Sequence, residues 1–272
     1  MLNTELFKNL VKWKLFDLII ASLEVVYIQD FLYRPIEKLS TANNHWNPKI
    51  IENKEPLIKV QFEPKRLYIK PIYFEQEIPS SIKFIYLREG VYRRLKQALG
   101  MLPEQYSFIL YDGYRPFQVQ QSLFEMFSQS IKDKQPHLTK DEVHKETLKY
   151  VAFPSIEPTR TSPHVTGGAI DLTLGDCDGN ALDLGTYFDE MSVKSATRYF
   201  EDHPMDNEVA LKNRRILYNC MTAVGFSNYS EEWWHYDFGN LSWARRVKLE
   251  NVQYGPVLAD LQNNDIKEFR YV

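Results

Sequence analysis

One stretch of the sequence, SPHVTGGAIDLTL at residues 162–174, sets a histidine and an aspartate around two adjacent glycines. Gly167 and Gly168 permit a tight turn that brings the side chains of His164 and Asp171 to one point. Asp171 stands in an apolar run, where an ionised carboxylate requires a charged partner such as a metal ion. Catalytic zinc is held by three protein ligands of these types. The stretch is compatible with two such ligands, and equally with a turn-capping aspartate beside a surface histidine.

A second stretch, EEWWHYDFG at residues 231–239, supplies a third ligand and a base. In a regular strand Glu232 and His235 would point to opposite faces, so we expect Glu232 at the strand entrance or on an irregular turn. There its carboxylate could reach water activated by a metal on His235, take a proton from it and return that proton to a leaving amine. Alone, the stretch is better explained as an aromatic core strand; together, the two stretches favour zinc on His164, Asp171 and His235.

A third stretch, YDGYRP at residues 111–116, places Arg115 at the end of a glycine-containing turn. Amide hydrolysis develops negative charge on the former carbonyl oxygen, and a fixed guanidinium would stabilise that charge. An isolated turn arginine is usually solvated or ion-paired, so this role depends on the other two stretches. We expect Asp112 to orient Arg115 or to stabilise the turn.

Other chemistries lack their signatures. The sequence contains no GxSxG, HExxH or CxxC pattern and no glycine-rich phosphate loop, and its two cysteines lack the surroundings of a nucleophile. The remaining histidines have no ligand spacing, and we expect them at the surface: His45, His137, His144 and His203.

The composition describes a globular protein. The 272 residues are 44% hydrophobic and 25% charged with a net charge of −3, which argues against a nucleic-acid partner. An amphipathic helix over residues 5–33 is interrupted by acidic residues, so it does not predict a membrane span. Without a recognisable signal peptide, we expect a cytoplasmic protein, with a periplasmic location still open.

The pattern of elements predicts an α+β fold with a largely antiparallel central sheet flanked by helices. Helices are expected over residues 88–100, ending at a Gly100 cap; over 116–131, starting at Pro116; and from an Asp206 cap to Gly225. A strand precedes the 111–116 turn, and EWWHYDF is expected to be the final strand. We divide the chain into a helical extension and linker, residues 1–57, and a catalytic domain, residues 58–272.

The three motifs, in this order and approximate spacing, resemble those of the zinc D-alanyl-D-alanine dipeptidases of the vancomycin-resistance (VanX) type, over about residues 58–250. The resemblance implies a zinc metallopeptidase that hydrolyses free D-Ala-D-Ala. It places the zinc ligands, one ion per chain, on His164, Asp171 and His235, the base on Glu232 and the transition-state arginine on Arg115.

The same resemblance implies three substrate contacts: Ser162, Asp189 for the substrate ammonium, and Tyr68. Pro163 departs from the family pattern and restricts Ser162 to extended backbone. The N-terminal extension is a second departure, which could cover the cleft, dock another protein or form a homo-oligomer. Two alternatives stay open: a dipeptidase or carboxypeptidase on another D-amino-acid or cell-wall peptide, and a non-catalytic zinc- or peptide-binding module.

Overall fold

The computed structural model describes residues 30–38 and 46–272. Most of the helix expected over residues 5–33 therefore lies outside the described residues, and so does His45. Of that helix, residues 30–33 are described: residues 30–32 are helical, and Tyr33 forms a turn.

A mixed five-stranded sheet forms the centre of the molecule, in the order β3-β5-β6-β8-β7. One pair, β3 with β5, is parallel, and the other three pairs are antiparallel. This confirms the α+β class. The five strands are β3 (Leu67–Ile69), β5 (Ser107–Asp112), β6 (Ala169–Gly175), β7 (Ser227–Asn228) and β8 (His235–Asp237).

Three two-stranded sheets surround this centre in the described part of the chain. They pair β1 (Lys49–Ile50) with β9 (Asn251–Val252), β2 (Leu57–Lys59) with β4 (Tyr86–Arg88), and β10 (Val257–Gln262) with β11 (Asp265–Tyr271). Because β9, β10 and β11 follow β8, the expectation that EWWHYDF is the final strand was wrong. The last hairpin turns at Asn263 and Asn264, both with positive φ (54° and 58°), a conformation that asparagine tolerates better than most residues.

The helices cover the sheet and build one wall of the cleft described below. They are α1 (Ile72–Glu75), α2 (Glu89–Met101), α3 (Phe117–Lys134), α4 (Lys140–Thr147), α5 (Tyr199–Asp202), α6 (Glu208–Ala223) and α7 (Leu241–Val247), with 3-10 turns at Pro163–Thr166 and Val193–Ser195.

Two predicted helix caps were wrong. Gly100 lies inside α2, which ends one residue later because Leu102 precedes a proline and adopts extended backbone (φ −74°, ψ 126°). Helix α6 is capped by Asn207, whose side chain accepts a 2.9 Å hydrogen bond from the Ala210 amide. Asp206 instead accepts a hydrogen bond from the Tyr199 hydroxyl. Gly225, with φ of 95°, follows the end of α6 as expected.

The described residues before position 57 pack against the rest of the chain. Arg88 has no exposed surface, and both of its terminal nitrogens donate 2.9 Å hydrogen bonds to the Glu52 carboxylate. Its Nε donates to the Thr166 carbonyl at 2.8 Å, and its backbone amide donates to the Gly167 carbonyl at 3.0 Å. The segment around Glu52 therefore supports the turn that carries His164. A domain boundary at residue 57 stays a prediction.

Candidate metal centre and substrate cleft

The conformation of the turn before β6 depends on two adjacent glycines. Gly167 has a φ of 70°, which favours glycine, and a Cβ on Gly168 would lie 2.7 Å from the Phe238 carbonyl oxygen. Ahead of them, Pro163 starts the 3-10 turn and Ser162 is extended (φ −61°, ψ 138°), as expected for a residue before proline. The turn places His164, 4% exposed, beside the start of β6.

Strand register brings the other residues of the centre together. Asp171 on β6 lies directly opposite His235 on β8 and, across a bulge in β5, opposite Asp112. Directly opposed residues in neighbouring strands present their side chains on the same face. His164 reaches that face from the turn, so one ligand atom each of His164, Asp171 and His235 lies within 4.8 Å of the others.

The hydrogen bonds behind the two histidines assign their tautomers. Nδ1 of His164 lies 2.8 Å from the Gly113 carbonyl, and Nε2 of His235 lies 3.1 Å from a carboxylate oxygen of Asp237. Both partners are acceptors, so these nitrogens carry the protons. The lone pairs of His164 Nε2 and His235 Nδ1 then converge, 3.2 Å apart, with the latter 3.0 Å from an Asp171 oxygen. Three buried acceptors facing one another fit a metal cation.

The charges at this point also favour a cation. Burial acts to raise the pKa of Asp171, but the adjacent His164 and His235 outweigh it and hold that pKa below its ordinary value. Burial acts to lower the pKa of His235, yet Asp237 and Asp171 raise it to about 10. Because metal ligands must be deprotonated, a bound metal would displace that proton.

Glu232 occupies the loop between β7 and β8, which fulfils the expectation of an irregular entrance to the strand. Its amide donates to the Tyr229 carbonyl, and its own carbonyl accepts from the His235 amide. One carboxylate oxygen lies 4.0 Å from His235 Nδ1, and the side chain is 34% exposed to the cleft. Burial raises the pKa of Glu232, a shift in the direction that suits a base and acid working near neutral pH.

Arg115 is held by groups on several elements. Its Nε donates to Asp112 at 2.8 Å, one terminal nitrogen donates to Gln120 at 2.8 Å, and the other donates to the Tyr73 hydroxyl at 3.0 Å. The guanidinium lies 3.7 Å from Asp171. These bonds fix a cation beside the metal ligands, and Asp112 orients Arg115 as expected.

Asp189 lies in the same cleft with a φ of 58°, a conformation that costs energy for any residue except glycine. Its carboxylate accepts a 3.1 Å hydrogen bond from the Tyr73 hydroxyl. Burial, followed by the charge of Asp171, raises the pKa of Asp189 to about 7, although Arg115 opposes the shift. Ser162, 3% exposed, also lines the cleft.

Tyr68 is not brought to the cleft. Its hydroxyl donates to the Cys177 carbonyl at 2.6 Å, and its ring packs against Gly179. The tyrosine of this stretch that lines the cleft is Tyr73, five residues later, because Pro71 follows the end of β3 and the chain turns into α1. Sequence reasoning missed Tyr73 and Gln120. The available signal for Tyr73 was a second tyrosine in the same YIKPIYF stretch.

One cleft of about 610 Å³ is lined by nine of these side chains: Tyr73, Arg115, Gln120, Ser162, His164, Asp171, Asp189, Glu232 and His235. The other described histidines, His137, His144 and His203, are exposed as expected. No helix among residues 30–38 and 46–272 is both long and apolar enough to cross a lipid bilayer.

Comparison with known proteins gives a family match and several relatives. Residues 84–253 match the family described as D-ala-D-ala dipeptidase (Peptidase M15). A D-alanyl-D-alanine dipeptidase from Synechocystis sp. is 29% identical over 179 residues, 58% of this chain and 71% of that protein. One from Escherichia coli is 38% identical over 129 residues, 47% of this chain and 53% of that protein. The alignments to these two relatives therefore span between 53% and 71% of their lengths.

Solved structures give weaker similarity. The vancomycin-resistance D,D-pentapeptidase VanY in complex with Zn(II) matches with a TM-score of 0.40 and 17% identity, over 71% of this chain and 83% of that one. The D,D-dipeptidase VanXYg in complex with a D-Ala-D-Ala phosphinate analog matches with a TM-score of 0.33 and 20% identity, over 60% of this chain and 55% of that one. Both TM-scores are below 0.5, so neither structure supports an inference about this chain.

Proposed function

This chain belongs to the D-ala-D-ala dipeptidase family of Peptidase M15, which makes it a metallopeptidase, and from that membership we propose that it hydrolyses free D-Ala-D-Ala to two D-alanines with one zinc ion. The observation that carries the proposal is the convergence of three buried acceptors, on His164, Asp171 and His235, beside the carboxylate of Glu232. One acid–base group next to one metal position suits hydrolysis of an amide.

His164, Asp171 and His235 would hold the zinc ion, since two imidazoles and one carboxylate are a ligand set typical of catalytic zinc. Zinc bound there would polarise the scissile carbonyl and lower the pKa of water. Asp237 and the Gly113 carbonyl keep each imidazole in the tautomer that leaves the ligating nitrogen free.

Glu232 accepts the proton of the attacking water and later delivers it to the leaving amine. Its place at the cleft, 4.0 Å from the ligating nitrogen of His235, supports this role, and burial shifts its pKa upward, the direction that suits a group which both accepts and returns a proton. Arg115 stabilises the negative charge that develops on the former carbonyl oxygen. Its bonds to Asp112, Gln120 and Tyr73 hold the guanidinium in place before the reaction starts.

The ends of the dipeptide are bound by separate groups. The Asp189 carboxylate pairs with the substrate ammonium, and Ser162 contacts the substrate on the side of the His164 turn. An acylated or longer peptide lacks the free ammonium, so it would lose the ion pair with Asp189 and the binding energy of that pair. The proposed substrate is therefore the free dipeptide. A cleft of about 610 Å³ exceeds what two alanines require, which keeps larger D-amino-acid peptides as a second candidate.

The test uses purified protein with D-Ala-D-Ala, with and without a zinc chelator, and the variant Glu232→Gln. Chelation should abolish activity and added zinc should restore it. Glu232→Gln should bind zinc normally and lose about 10²- to 10⁴-fold in kcat. The matched control is Glu231→Gln, which changes an exposed neighbour and should retain activity. Full activity in zinc-loaded Glu232→Gln contradicts the mechanism, and equal turnover of N-acetyl-D-Ala-D-Ala contradicts the dipeptide specificity.

A further inference from the structure

One end of the cleft is apolar and is not used by the chemistry described above. Its wall consists of side chains from α3 and from the segment after α4, and we call this region the apolar arm: Leu123, Met126, Phe127, Leu148 and Tyr150. Met126 is 50% exposed, and Leu148 and Tyr150 are each 45% exposed. Apolar side chains grouped at the end of a cleft with a few convergent polar groups are typical of a ligand pocket.

Side-chain contacts hold the wall of the apolar arm in place. The rings of Phe127 and Tyr150 pack with centroids 5.3 Å apart, which joins α3 to the segment after α4. Gln120, fully buried, accepts from Arg115 and donates to the Ala152 carbonyl at 2.7 Å. The wall of the arm is thereby tied to the arginine beside the metal ligands.

The position of the apolar arm relative to Asp189 determines which residue of the substrate the arm faces. Tyr73 donates to Asp189 through its hydroxyl, and Leu123 packs against the cluster that contains Tyr73. From Leu123, one turn of α3 leads to Met126 and Phe127. The arm is therefore connected to Asp189 through Tyr73 and its cluster, and it extends from Leu123 along α3.

The five side chains that define the arm carry no charge. Lys149, between Leu148 and Tyr150, also lines the cleft, and its exposed ammonium is paired with Glu146 at 2.7 Å. Because that ammonium already has a counter-ion and the five side chains of the arm are uncharged, the arm suits an aliphatic or aromatic side chain better than a charged one.

We propose that the apolar arm is a subsite for the side chain of the amino-terminal residue of the dipeptide, so that the enzyme accepts D,D-dipeptides whose first residue is large and apolar. This inference rests on the proposed function, because Asp189 must bind the substrate ammonium for the first residue to face the arm. The substrate class then includes D-Leu-D-Ala and D-Phe-D-Ala besides D-Ala-D-Ala.

The test compares kcat/KM for D-Leu-D-Ala, D-Ala-D-Leu and D-Ala-D-Ala on the zinc-loaded enzyme. D-Leu-D-Ala should be favoured over D-Ala-D-Ala by about tenfold, the lower end of what an added apolar group contributes in an enzyme pocket, because the arm is half-exposed. D-Ala-D-Leu should not share this advantage. A D-Leu-D-Ala value equal to or below that of D-Ala-D-Ala overturns the inference.

Phe127→Ala removes one wall of the arm and should lower the ratio of the D-Leu-D-Ala value to the D-Ala-D-Ala value about tenfold. Phe153→Ala is the matched control, since Phe153 is a nearby phenylalanine, 50% exposed, that packs on Phe124 outside the cleft. It should leave the ratio unchanged. An unchanged ratio in folded Phe127→Ala overturns the inference.

The two proposals fail differently. If the zinc-loaded protein hydrolyses none of the three dipeptides, the proposed function fails and the inference falls with it. If D-Ala-D-Ala is hydrolysed but the larger first residue brings no gain, the apolar subsite alone is refuted.

Discussion

Replacing Asp237 by asparagine tests whether the histidine ligand depends on its buried partner. Asp237 has no exposed surface and accepts from His235 Nε2 at 3.1 Å, from Arg246 and from Asn240 at 2.7 Å. The change Asp237→Asn keeps the shape of the side chain and removes its charge. It also turns one of the two acceptors into a donor.

Neither orientation of the new amide satisfies all three partners. With its oxygen towards His235 and Arg246, its NH₂ group faces the Nδ2 donor of Asn240. With the opposite orientation, its NH₂ group faces the Nε2 proton of His235 and favours the other tautomer, which blocks the ligating nitrogen. In both cases the imidazole loses its carboxylate partner. We expect zinc affinity to fall about 10- to 100-fold, or roughly 1.4 to 2.7 kcal/mol.

The assay is zinc competition against a chromophoric chelator, with circular dichroism to check the fold and kcat measured over a range of zinc concentrations. Activity lost at low zinc should return as zinc is raised. Asp265→Asn is the matched control, because Asp265 accepts from Tyr86 on a different sheet. Zinc affinity of folded Asp237→Asn within twofold of the unaltered protein would refute the assignment of tautomer and ligand atom.

Two more predictions follow from the cleft and its turn. Because the pKa of Asp189 is raised to about 7, its carboxylate is ionised above that pH and protonated below it. KM for D-Ala-D-Ala should therefore rise as pH falls from about 8 to 6, and Asp189→Asn should raise KM and remove the dependence; a flat KM in the unaltered enzyme contradicts this role. Gly167→Ala should lower the free energy of unfolding by about 2 kcal/mol, since φ is 70° and the new Cβ would lie 2.7 Å from Leu57 Cδ2. In denaturant titrations, Gly100→Ala should instead stabilise by about 0.5 to 1 kcal/mol, because helical Gly100 has nothing within 4 Å; equal effects at both glycines would refute the argument.

The residues that converge on the metal position could be predicted because the chemistry restricts their types. Histidine and aspartate around a glycine pair, and glutamate before a second histidine, leave few other uses in apolar stretches. What spacing could not predict was register: Asp112, Asp171 and His235 share a face because three strands align across one bulge. That alignment is a property of the sheet and of no single stretch.

Tyr73 and Asp189 illustrate the limit of local patterns. Tyr68 and Tyr73 occur in one short stretch, and the break at Pro71 decides which of them enters the cleft. The positive φ of Asp189 could not be predicted from the sequence, because aspartate does not by itself specify that conformation. The caps at Gly100 and Asp206 failed for a similar reason, since a neighbouring residue, Leu102 before proline or Asn207, ended or began the helix.

The buried hydrogen bonds of Arg88 make the segment before residue 57 part of the structure that supports the His164 turn. Five side-chain hydrogen bonds join this guanidinium to Glu52, to the Glu55 and Gly255 carbonyls and to Thr166, two residues after His164. The part of the chain that matches the family begins at residue 84, after Glu52 but before Arg88. A protein truncated to start at residue 84 would keep the buried guanidinium of Arg88 but lose the Glu52 carboxylate that pairs with it. The unpaired charge would lie next to the turn that carries His164. A shortened chain would therefore need a new carboxylate beside Arg88, or an uncharged residue in its place, to avoid an unpaired buried cation next to the His164 turn.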